Sequence, residues 1–285
     1  MFAEIRQTIE QNRGKITGWS IGLALYGIMM AALYPTIQEI EGLQELIESY
    51  PQEMLAFLGN ITEIATPSGY LGTYYFLYMT MIIGILTIGM GAGLIAGDEE
   101  EGTLDLILAH PVSRAGLFWG RYIGFVITTI IVLFVSWLSW VIPSGYVEME
   151  LTWIEFLRPF LSLFAQLMLF GTLALFLSMV LPASRTAGML SGALLVGNFL
   201  IDGLSNINED LESIVKFTPL HYYQSGDAIA GLNWTWLAGL FAAIAALTVA
   251  AWLIFERRDI RVGGERSWNL SRLFRRGGKE AAKET

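Results

Sequence analysis

The chain predicts an all-α integral membrane protein with six transmembrane helices, an N-terminal interfacial elbow helix and a short cytoplasmic helix between the second and third spans. Three observations carry this. Apolar residues make up 54% of 285 residues, charged residues only 15%, and the apolar residues fall in blocks. A mean hydropathy of +0.53 exceeds what a soluble core accommodates. Each block is close to the about 20 apolar residues needed to cross a hydrocarbon layer of roughly 30 Å.

In chain order, Phe2 to Lys15 suits a helix lying in the membrane interface, because Arg6, Arg13 and Lys15 match anionic headgroups. The first span covers about 16–34. It is too long for a signal-peptide core and lacks a small-residue exit, so it is expected to remain in the mature protein. An acidic outer loop, 35–70, follows, with helix expected from about Thr36 to Leu58. The second and third spans occupy about 71–97 and 117–142, and the loop 98–114 lies between them. The fourth and fifth, about 159–181 and 186–204, are separated only by Pro182 to Arg185. Proline ends the helix there and Arg185 resists lipid, which makes a tight hairpin. The sixth covers about 234–255 and closes a single transmembrane domain, 1–255, ahead of a basic tail, 256–285. Within the tail, Trp268 to Arg276 fits either an interfacial segment or a solvated basic stretch.

An even number of spans puts both termini on one face. Fifteen of the 17 basic residues fall on that face, leaving Arg158 and Lys216 on the other, so both termini are expected in the cytoplasm of a multi-pass cell-membrane protein. The acids crowd the outer loops, so the net charge of −9 describes the exterior and gives no support for nucleic-acid binding.

With no cysteine, thiolate metal sites and cysteine nucleophiles are excluded. His110 and His221 fall on opposite faces and cannot share a metal, and no metal site is expected. Met79 and Met81 point to different helical faces, as packing rather than a soft-metal path. There is no H-E-x-x-H, G-x-S-x-G or phosphate loop, so no catalytic residue and no cofactor bound by this chain is expected.

The loop 98–114 is the candidate functional site. Asp98, Glu99, Glu100 and Glu101 are four carboxylates expected in water, after which Gly102 breaks the run. Thr103 is a candidate N-cap for a helix of under two turns through Leu104, Asp105, Leu106, Ile107 and Leu108, stopped by Pro111. Such a stub is unstable alone, so its Leu104, Ile107 and Leu108 face must dock on lipid or on a partner. Ser113 then offers an N-cap to the third span, with Arg114 reaching the interface.

This segment resembles the coupling segment of the type-2 class of ABC exporter permeases, in which an acidic pair, Gly-Thr-Leu, an acid, leucines and Pro-x-Ser-Arg recur. The matching positions are Glu99, Glu100, Gly102, Thr103, Leu104, Asp105, Leu106, Leu108, Pro111, Ser113 and Arg114. The stretch Phe217 to Tyr222 is similar to one found before the last span of those permeases, and 220–232 could re-enter the membrane as short helices. The resemblance implies a permease subunit of an ATP-driven exporter, with ATP and Mg bound by a separate ABC nucleotide-binding subunit. It also implies a second permease chain, identical or homologous, in contact with membrane lipid.

Arg158, near Glu155, is expected with Asn198 and Asp202 to line the outer exit of a mostly apolar path suited to amphipathic cargo. Glycine pairs 18/22, 116/120, 120/124 and 188/192 permit close helix approach. The reading of another class is a six-span scaffold or sensor, or a membrane enzyme with an unrecognised site, acting without an ATPase. The loop 98–114 discriminates, because a scaffold needs no apolar docking stub between carboxylates.

Overall fold

The computed structural model describes residues 1–40, 66–104, 113–147 and 149–258, with 42, 47, 49–51, 55, 64 and 107 between them. Half of the outer loop 35–70, the tail from 259 onward, and Asp105, Leu106, Leu108, His110 and Pro111 of the loop lie outside the described residues.

Among the described residues, six helices are long and apolar enough to cross a membrane. A short helix α1, Phe2–Gln11, precedes the first of them, α2, Arg13–Gln38. Then come α3, Pro67–Gly93, the short α4, Ala96–Glu100, and α5, Arg114–Ser144. The remaining spans are α6, Trp153–Val180, α7, Ser184–Ser205, and α8, Trp234–Arg257. Hydropathy therefore located every span, and the ends moved by at most six residues because caps rather than apolar content set them. Ser113 caps α5 through a bond from the Gly116 N–H at 3.1 Å, so this helix starts three residues before the expected apolar edge at 117. Thr152 and Glu155 form a reciprocal capping box that starts α6 at Trp153, against an expected 159.

The most buried span is α6, which packs against α3, α5, α7 and α8. Its closest neighbour is α3, and glycine makes that approach possible. A Cβ on Gly91 would collide with the Gly171 carbonyl, and one on Gly171 would lie 2.6 Å from Phe125 Cζ. By contrast α2 packs chiefly on α5, and α1 lies across α5 as well. Gly120 and Gly124 seat α1, since added Cβ atoms would stand 2.6 Å from Glu4 Cβ and 2.7 Å from Thr8 Cβ. That glycine pair thus serves an intrachain contact, whereas nothing lies within 4 Å of a Cβ built on Gly18 or Gly22.

One local departure from α geometry lies in α3, where Gly72–Phe76 forms a π-helical turn. Carbonyls near such a turn need outside donors in a membrane. Tyr26 OH donates to the Tyr74 carbonyl at 2.5 Å and Tyr223 OH to the Phe76 carbonyl at 2.9 Å. Tyr223 belongs to the stretch expected to re-enter as short helices. It does pack into the bundle, as two 3-10 turns, Pro219–Tyr222 and Ser225–Ile229, with Gly226 against Gly72.

Candidate functional site: the acidic turn between the second and third spans

The turn opens where α3 stops. Leu94 and Ile95 interrupt the helix, and Ile95 leaves α geometry at φ −124°. The single turn of α4 then carries Asp98, Glu99 and Glu100. It ends in a Schellman motif: the Thr103 N–H bonds the Asp98 carbonyl at 2.9 Å and the Gly102 N–H bonds the Glu99 carbonyl at 3.2 Å. Gly102 takes the left-handed conformation this requires, at φ +70°. The Thr103 hydroxyl donates back to the Asp98 carbonyl at 3.2 Å, which ties the next residues to α4.

Four carboxylates in a row were expected in water, and the structure corrects that. Glu99 is 5% exposed, and three consecutive acids each hold a different helix. Asp98 pairs with Arg121 of α5. Arg121 also donates to the Leu94 carbonyl at 3.0 Å and lies 3.6 Å from the Glu4 carboxylate, so α1, α3 and α5 meet at one guanidinium. Glu99 pairs with Arg258, just past α8, and Arg258 also donates to the Met179 carbonyl at the end of α6, at 2.9 Å. Glu100 accepts from the Ser184 N–H at 2.5 Å and its hydroxyl at 2.9 Å, which supplies α7 with the N-terminal acceptor its own sequence lacks. Of the four, Glu99 is buried and Asp98 half-buried, while Glu100 and Glu101 remain exposed.

The same end of the bundle holds Arg114. Its guanidinium donates to the carbonyls of Phe255 and Arg258, at 3.3 and 2.7 Å, and satisfies the end of α8. Leu104, expected to dock on lipid or a partner, is 1% exposed within the bundle core, with Ile107 packed beside it. Leu104 and Ile107 of that face therefore pack on the chain itself, and the exposed surface among the described residues here includes Glu100, Glu101, Gly102 and Ser113.

At the opposite end, Arg158 donates to the Ile229 carbonyl at 2.8 Å, while Glu155 is engaged by Thr152. The 520 Å³ cavity beside Arg158 is walled by the starts of α6 and α8 and by Gly231 and Leu232, without Asn198 or Asp202. Asn198 donates to the Leu194 carbonyl of its own helix at 2.7 Å, and Asp202 faces His221 electrostatically. The path residues are thus not gathered in that cavity.

Two features were missed. Tyr122, Thr172 and Thr248 form a hydroxyl chain between α5, α6 and α8, at 3.1 and 2.9 Å. Gln166 is fully buried in α6, and neither amide atom finds a hydrogen-bond partner among the described residues. Polar residues inside apolar runs were the available signal. Among the described residues no cluster of acids and histidines could hold a metal ion.

A family described as ABC-2 family transporter protein matches residues 4–260. No curated protein matches the chain. The match embraces all six spans and the acidic turn, so the chain belongs to the ABC-2 transporter family, as the multi-pass membrane permease component of an ABC transporter.

Proposed function

We propose that the chain couples ATP hydrolysis, performed on ATP and Mg by a separate nucleotide-binding subunit, to export across the cell membrane, with both termini in the cytoplasm. The segment 98–114 is where that subunit docks. One observation carries this: consecutive carboxylates of α4 hold α5 near its start and the ends of α7 and α8, and through Arg121 and Arg258 also α1 and α6. A displacement of this turn must therefore move several spans together. Charge-assisted bonds between helix ends transmit force where a solvated loop would yield.

Two permease chains complete the transporter in this proposal. The shares of the apolar windows buried within one chain are 17% for α2 and 22% for α7, against 72% for α6, which leaves α2 and α7 faces for lipid or a second copy. Arg158, Asn198 and Asp202 are proposed to flank the exit at the far end. The mostly apolar spans suit amphipathic cargo.

The test uses the absence of native cysteine. Single cysteines at Glu101 and Ser113, both exposed, should cross-link to an ATPase subunit in native membranes. A cysteine at Tyr146, exposed at the opposite end, should not. If thiol reagents reach Glu101 and Ser113 but no ATPase is recovered, the coupling role fails and a scaffold or sensor role replaces it.

A further inference from the structure

Two cavities on the same side of the molecule share one residue, Lys15. The first is an apolar groove of 650 Å³ between α2 and α3, running from Gly14 past Gly18 and Gly22 to Tyr26, with Met79 and Ile82 opposite. It exists because α2 leans on α5 rather than on α3, and because the α2 glycines leave open space where side chains would stand. Twelve residues of helix span about 18 Å. That is slightly more than half of the roughly 30 Å hydrocarbon layer, the depth of one leaflet.

The second is a polar cavity of 250 Å³ at the end of the bundle that carries α1 and α4. Gly89, Gly93 and Gly97 leave its floor open. Its charged groups are Lys15, Arg121, Asp98 and Glu101. Arg121 is 4% exposed, and its Nη2 finds no acceptor among the described residues. A buried guanidinium nitrogen left unbonded is costly and calls for an anionic oxygen. Lys15 and Glu101 line the cavity without forming an ion pair among the described residues.

We propose that the two cavities form one binding site for a single phospholipid with a zwitterionic, ethanolamine-type headgroup. Its phosphate lies between Lys15 and Arg121 Nη2, its ammonium meets Glu101, and an acyl chain fills the α2/α3 groove. With Glu4 3.6 Å from the same guanidinium, the carboxylates exceed the cations by one, which a headgroup carrying its own ammonium answers. An anionic glycerol headgroup would leave Glu101 and Asp98 facing a like charge. A choline headgroup offers no N–H donor to Glu101 and favours an aromatic cage, and no aromatic ring lines the polar cavity. The site requires only that α2 and α3 stand in a bilayer, so it does not depend on an ATPase driving the chain.

The test is lipid retention by the full chain after reconstitution into bilayers with equal ethanolamine, choline and glycerol phospholipids, read by native mass spectrometry. One ethanolamine lipid per chain should be retained, enriched about tenfold over the others, the effect of one charge-assisted hydrogen bond. Filling the groove with Gly18→Leu and Gly22→Leu should reduce retention about tenfold without lowering the melting temperature, as should Lys15→Glu. Three results would overturn the proposal. Preferential glycerol-lipid retention removes the zwitterion. Equal retention by the groove variants makes the lipid merely annular. Quantitative Gly18→Cys disulfides between chains give the groove to a second copy.

Discussion

Glu99 and Arg258 meet although 159 residues separate them, and burial makes their pairing costly to break. Removing one partner of a buried pair strands the other, so Arg258→Ala should cost about 3 kcal/mol of unfolding stability in detergent. The double variant with Glu99→Ala should recover part of that, as a double-mutant cycle would read. Additive losses would mean that the two do not interact. Gly91→Ala tests packing at the same scale. Its methyl meets the Gly171 carbonyl, so α3 and α6 must separate, and a loss of about 1–3 kcal/mol is expected. The glycine was legible as a small residue near a span end, but its partner on α6 was not. Likewise the Gly120/Gly124 pair promised close packing without revealing that α1 fills it.

For single elements, caps were the most legible feature and irregular backbone the least. Ser113 was readable as an N-cap, whereas the Thr152 and Glu155 box took a carboxylate expected beside Arg158. Gly102 was readable as a break, and the Schellman geometry explains why only glycine fits there. Gly102→Ala forces a side chain into the left-handed region and should cost about 1–2 kcal/mol by thermal denaturation. It should also weaken any cross-link formed at Glu101, because the turn would no longer be held in place. The π-helical turn in α3 left no hydropathy signature, since Gly72–Phe76 is as apolar and aromatic as its surroundings. Tyr26→Phe removes the donor to the Tyr74 carbonyl and should cost about 1–2 kcal/mol. An unchanged melting temperature would show that another donor takes over.

Across the whole molecule, α1 and the end of α8 lie at one end, since Glu4, Asp98, Arg121, Glu99 and Arg258 converge there. With that end in the cytoplasm, a membrane-impermeant thiol reagent applied to intact cells should label a cysteine at Tyr146 and spare one at Ser113. The reverse pattern would invert the topology. If α7 faces a second copy, a single cysteine at Leu200, exposed on that helix, should form an interchain disulfide, and exclusive labelling by lipid-soluble reagents would assign the face to lipid.

The number and places of the spans, and the position of the acidic turn between the second and third, were determined by sequence alone. Each depends on local composition summed over about 20 residues, which solvent transfer reads directly. The destinations of the carboxylates were decided only by tertiary structure. A run of four acids on one short turn reads as solvated unless cations stand opposite, and Arg121 and Arg258 do so only because α5 and α8 pack at that end. The burial of Leu104 has the same origin. An apolar face must be covered, but whether by lipid, a partner or its own bundle depends on where helices distant in sequence come to rest.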